Sequence, residues 1–129
     1  MNINENTGRG PGERPVAVQH AETGAAAWRT VARAQRVAAP DHADFYAVAG
    51  ELVETLHALQ DVASVLRRQV AGYGEGRRVY DDSATVDPAL RLATAADRLE
   101  LLRVALDPAC EHANAFWSQI GHIGVEVPR

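Results

Sequence analysis

The chain has 129 residues, a mass of 13.9 kDa and a formal charge of −4, one domain's worth at roughly 100–200 residues per domain. An acidic balance with a pI near 5.7 argues against a dedicated nucleic-acid binder, which is usually basic over its domain. The single cysteine, Cys110, excludes an intrachain disulfide and a multi-cysteine zinc site, and it fits a reducing, cytoplasmic interior.

Aromatics make up 5% of residues against a hydrophobic fraction of 47%, so a core must be built from Ala, Val and Leu. Such a core suits close-packed helices better than aromatic and β-branched strands. Every cation is arginine and alanine is abundant, which suits a GC-rich bacterial coding sequence. Residues 1–7 show no cationic start followed by an apolar stretch, so no secretory signal is expected. No run of about 18 apolar residues occurs, so no membrane-spanning helix is expected either.

Residues 1–21 carry Gly8, Gly10, Gly12, Pro11 and Pro15 among polar neighbours. Too little apolar surface is available there to offset the entropy of ordering, so a flexible arm is expected, followed by a single helical domain over residues 22–129. Gly24 to Ala39 reads as a first helix, with Trp28, Val31, Ala32 and Ala38 toward one side and Arg29, Arg33 and Arg36 on one face. Pro40 stops it. Residues 1–40 sum to +2 and residues 41–129 to −6.

The strongest pattern follows. Asp41 is a suitable N-cap, with Asp44 in the first turn. Phe45, Ala49, Leu52, Leu56, Leu59, Ala63, Leu66 and Val70 then recur at alternating steps of four and three, a heptad seam. Val48, Val53 and Val62 widen it, Gly50 is the one weak helix former inside, and Gly72 and Gly74 end a helix over 41–71. Residues 72–87 show no helical period and read as a flexible loop. Gly72, Gly74 and Gly76 lack the preceding strand and the following Lys-Ser/Thr of a phosphate cradle.

Asp87-Pro88 is an N-cap and N1 pair opening a helix over 88–106, with Leu92, Ala95, Leu99, Leu102 and Leu106 in step. Asp107-Pro108 restarts the same signal, so a break is expected there and a separate short helix over 108–120. In it Ala109, Ala113, Phe116, Trp117 and Ile120 share a face, and Phe116, Trp117 and Ile120 are expected to be the aromatic anchor of the core. An extended tail follows Gly121.

Few constellations suggest chemistry. Glu54-x-x-His57 is half of the carboxylate-bridged di-iron signature. The seam, however, turns both residues outward, and no second copy exists, because Glu100 is followed three residues later by Arg103. Cys110, Glu111, His112 and His122 are residue types that suit zinc, but Cys110 and His112 project to different faces, and Cys110 reads as a small core residue. Arg67, Arg68, Tyr73, Arg77 and Arg78 around the loop could contact a partner or an anion. Glu75, Asp81 and Asp82 nearly neutralise them, which favours an internally paired loop. No nucleophile elbow or dinucleotide fingerprint appears, and no metal or cofactor is expected.

In size and helix order the chain resembles the WXG100-type substrates of type VII secretion. Their Trp-x-Gly turn is missing, since Trp117 and Gly121 have three residues between them and stand outside the hairpin turn. No tyrosine after the hairpin has an acid four residues downstream. No family is assigned on that basis.

The sequence therefore predicts an all-α protein, a helical bundle built on a long antiparallel helical hairpin. It points to a non-catalytic interaction or assembly protein whose partner is itself, as a dimer or higher oligomer, or another helical protein. Leu52, Leu56, Leu59, Phe116, Trp117 and Ile120 would be interface or core anchors. The alternatives are a nucleic-acid accessory protein acting through the arginine-flanked loop, and a metal-binding bundle using Glu54 and His57.

Overall fold

The computed structural model describes residues 12–128; residues 1–11 of the expected arm, and Arg129, lie outside them. Three α-helices account for most of the described residues, with no strand among them, so the protein is all-α. The chain divides between Pro40 and Asp41 into two compact units.

The first unit contains α1, Val16–Val37. This helix starts eight residues before the expected Gly24, taking in Val16–Ala21 of the expected arm. Local bonds account for the early start. The Pro15 carbonyl accepts from the Gln19 N–H at 3.1 Å, the Gln19 side chain donates to the Arg14 carbonyl at 2.7 Å, and Arg14 pairs with Glu22. Gly24 is consequently an interior residue with open space around it. It lowers helix stability by about 1 kcal/mol against alanine, a cost its alanine-rich surroundings absorb. Trp28 and Val31 are half-buried.

The second unit is the antiparallel hairpin of α2, His42–Ala71, and α3, Pro88–Ile120. Asp41 caps α2 in a reciprocal box: its carboxylate accepts from the Asp44 N–H at 3.0 Å, and the Asp44 carboxylate accepts from the Asp41 N–H at 3.1 Å. Asp87 caps α3 by accepting from the Ala89 N–H at 3.0 Å, with Pro88 at the first helical position.

α3 runs through Asp107-Pro108 without ending, which corrects the expected pair of helices over 88–106 and 108–120. Proline removes the N–H that the Val104 carbonyl would receive and crowds that turn. Beside that turn the Gln60 Nε2 amide of α2 donates to the Arg103 carbonyl at 3.3 Å and to Asp107 Oδ1 at 2.6 Å. Asp107 therefore receives a bond across the hairpin instead of capping a new helix.

The packed seam is also rotated from the expected one. Ala49, Val53 and Ala63 of α2 meet Ala96, Leu106 and Cys110 of α3 in the buried centre, with Leu52, Leu56, Leu92, Leu99, Ala113, Trp117 and Ile120 half-buried around them. Phe45, Leu59 and Leu66, expected in the seam, are exposed, and so is Phe116, at 44%. Small residues at the centre let the helices approach closely. A steric reason appears at Gly50, where an added Cβ would lie 3.2 Å from Trp117 Cζ2. The indole occupies the space left by the missing side chain, and Tyr46 lies beside it with ring centroids 5.6 Å apart. Trp117 is thus the anchor, and Phe116 is not.

Candidate functional site

A two-helix hairpin has a packed seam and two open sides. In antiparallel helices, residues displaced the same way around each helix from the seam lie on the same open side. The two sides here differ in chemistry.

One side is polar and bridged. Gln60 reaches Arg103 and Asp107, and its Oε1 accepts from the Cys110 thiol at 3.7 Å, so the whole amide is engaged. Two turns further along α2, Arg67 Nε lies 3.6 Å from Glu100 Oε2. Arg103 grips the same carboxylate in bidentate fashion, at 2.7 and 3.1 Å. The Arg103 hydrogen bonds hold Glu100 below the usual carboxylate range, and the same bonds raise Arg103.

The other side is apolar. α2 presents Phe45, Leu52, Leu59 and Leu66 at intervals of seven, with Val62 beside them; α3 presents Ala95, Leu102, Ala109 and Phe116 at the same interval. Leu59 is 46% exposed, Val62 50% and Leu102 50%. No cross-helix polar bond joins the two rows among the described residues. The residues share a side, so this is one continuous surface and not scattered exposure.

The 72–87 connection is held by a carboxylate latch. Asp81, whose side chain is 5% exposed, accepts from the Ser83 hydroxyl, from Arg91 Nε at 2.7 Å, and from the backbone N–H groups of Thr85 and Val86. Those bonds, Ser83's first and Arg91's second, hold its carboxyl far below the usual range. The segment is therefore a hydrogen-bonded turn structure without helical period, and it places Ala84 at φ 58°.

Two of the four arginines around this loop have partners. Arg67 pairs with Glu100, and Arg77 lies 4.3 Å over the Tyr73 ring while donating to the Tyr73 carbonyl. The depression touching Arg67 and Arg68 is also lined by Glu75 and Asp97. Arg78 is exposed. Glu54 and His57 both face solvent, and among the described residues no group of three or more His, Cys, Asp and Glu could hold a metal. Cys110 is buried.

At the far end of the hairpin, Tyr46, Asn114, Trp117, Ser118, Gly121 and His122 line an open depression. Trp117 Nε1 and, on α2, His42 Nδ1 are buried without a hydrogen-bond partner.

The sequence reading passes over Gln60, and it takes Asp81 as a counter-charge to the loop arginines, not as the acceptor of the Ser83, Thr85, Val86 and Arg91 bonds. Gln60 has a legible signal, because it is a polar residue in step with Val53, Leu56 and Ala63. Its partner, the interrupted turn at Pro108, is legible only once the two helices are aligned. No known protein family, curated protein or solved structure matches this chain.

Proposed function

We propose that this chain is a non-catalytic helical assembly module that self-associates through the apolar side of its hairpin. The observation that carries this reading is the asymmetry of the two open sides. One is closed off by Gln60, Arg67, Glu100, Arg103 and Asp107, whereas the other leaves two apolar rows uncovered along its length. Contiguous apolar surface beyond a few hundred Å² marks an interaction site more often than an idle surface.

A catalytic reading finds less support. Cys110, the one thiol, is buried against the Gln60 amide with no basic group activating it, and a buried thiol of this kind suits a reducing compartment. The arginine-loop reading is weakened by the partners that Arg67 and Arg77 already have.

Sedimentation velocity on the full chain over a dilution series tests the proposal. Expected is a concentration-dependent mass above that of one 13.9 kDa chain. A constant single-chain mass at every micromolar concentration overturns it.

A further inference from the structure

Resting on the self-association reading, we infer which surface the second copy occupies and how it is placed. Two hairpins stack apolar side to apolar side about a twofold axis parallel to the helices, so that α2 of one protomer lies on α3 of the other in a four-helix bundle.

The first argument is area. The α2 row from Phe45 to Leu66 is about 33 Å long at 1.5 Å per residue. Two helices about 10 Å in diameter, side by side, present a width of about 20 Å. The product is about 650 Å² per protomer, or about 1,300 Å² in total, within the roughly 1,200–2,000 Å² range of stable interfaces. A single added helix would fill the central groove but leave the outer edges of both rows wet.

The second argument is shape. The α2 row is bulky throughout: Phe45, Leu52, Leu59 and Leu66, with Val62 alongside. The α3 row alternates small and large in the order Ala95, Leu102, Ala109, Phe116, and Ala105 lies beside it between Arg98 and His112. Bulky rows pack poorly on each other, whereas knobs from one helix need recesses in the facing helix. Only the axis parallel to the helices sets the bulky row on the recessed one.

The register follows from the hairpin's own levels. Gly50 stands opposite Trp117, Gln60 opposite Asp107 and Arg67 opposite Glu100. Rotation about this axis preserves height, so Leu59 of one protomer meets the recess between Ala105 and Ala109 on the other. A twofold axis perpendicular to the helices would instead put α2 on α2 and bring the two Leu59 side chains toward each other's row.

Two measurements test this on the full chain. Leu59→Asp, at a site already 46% exposed, should halve the mass seen by light scattering and leave the helical circular dichroism intact. Val104→Asp, 47% exposed but on the opposite flank of α3, should leave the mass unchanged. A dimer that survives Leu59→Asp, or a wild-type chain that is monomeric because another segment such as α1 covers the side, overturns the inference.

The second measurement addresses placement, in a Cys110→Ser background. Leu59→Cys protein is mixed with Ala109→Cys protein under mild oxidant and the disulfides are identified by mass. The mixed 59–109 bond should dominate, because a disulfide forms only when Cα atoms come within about 7 Å. Predominant 59–59 bonding with the dimer intact overturns this arrangement while leaving self-association standing.

Discussion

At the scale of single residues, Gly50 and Trp117 form one unit although sixty-odd positions separate them. Glycine in a helix interior is about 1 kcal/mol less favourable than alanine, yet a Cβ here would press on the indole at 3.2 Å. Gly50→Ala should therefore be close to neutral in the native background and stabilising by about 1 kcal/mol once Trp117→Ala has vacated the space. Urea denaturation of the two single variants and the double variant measures that coupling. Trp117→Ala alone should cost about 3 kcal/mol, the low end of the large-to-small range, because the ring is only half-buried. Asp81 acts through charge. Its folded pKa lies well below the unfolded value of about 3.9, so its contribution is complete above about pH 4 and declines as pH falls through the depressed folded value. Thermal midpoints of the native chain and Asp81→Asn should differ by a constant amount near neutral pH, with the native chain higher. The two should converge in acid below about pH 4. Trp117 is legible in the sequence as a rare aromatic at helical spacing. Gly50 reads there only as a weak helix former, because its reason sits on the other helix.

At the scale of elements, α3 shows where local pattern and tertiary context part. Asp107-Pro108 repeats the Asp87-Pro88 signal, and taken locally both mark helix starts. Only Asp87 is used that way. At Pro108 the helix continues, packed against α2, with the Gln60 amide on the carbonyl beside the interrupted turn. Pro108→Ala should then stabilise the hairpin, by about 1–3 kcal/mol, since the full interior penalty of proline is about 3 kcal/mol. Gln60→Leu should cost about 1 kcal/mol by removing the bonds to the Arg103 carbonyl, Asp107 and the Cys110 thiol. That cost should shrink in the Pro108→Ala background, where residue 108 regains an N–H for the Val104 carbonyl and the turn beside Gln60 is no longer crowded. Denaturant midpoints of the three variants decide it, and equal costs in both backgrounds would separate Gln60 from the proline. The caps, the long α2 and the loop position are legible because each rests on neighbours in sequence. The seam rotation is not. A heptad pattern with flanking valines fits several faces of α2, and the choice among them was made by small residues on α3.

At the scale of the whole molecule, the distribution of burial separates two kinds of leucine. Leu106 is 9% exposed in the hairpin seam, whereas Leu59 is 46% exposed on the uncovered side. A single hairpin can bury only one stripe of each helix, so the second apolar stripe contributes to stability only when something lies on it. Leu106→Ala should cost about 3 kcal/mol at any protein concentration, because its packing partners belong to the same chain. Leu59→Ala should behave differently. In dilute solution, where single chains dominate, it acts as a surface change within about 0.5 kcal/mol. As concentration rises the native chain gains stability by mass action, because association draws on the folded state alone. The Leu59→Ala chain should gain less, so the gap between their thermal midpoints should widen with concentration. The gap for Leu106→Ala should widen far less, since its loss lies mainly inside each protomer. Calorimetric scans of the three chains across a hundredfold range of concentration read both trends together. A Leu59→Ala deficit that is large in dilute solution and flat with concentration would place Leu59 in an intrachain core, and the apolar side would then be closed from within.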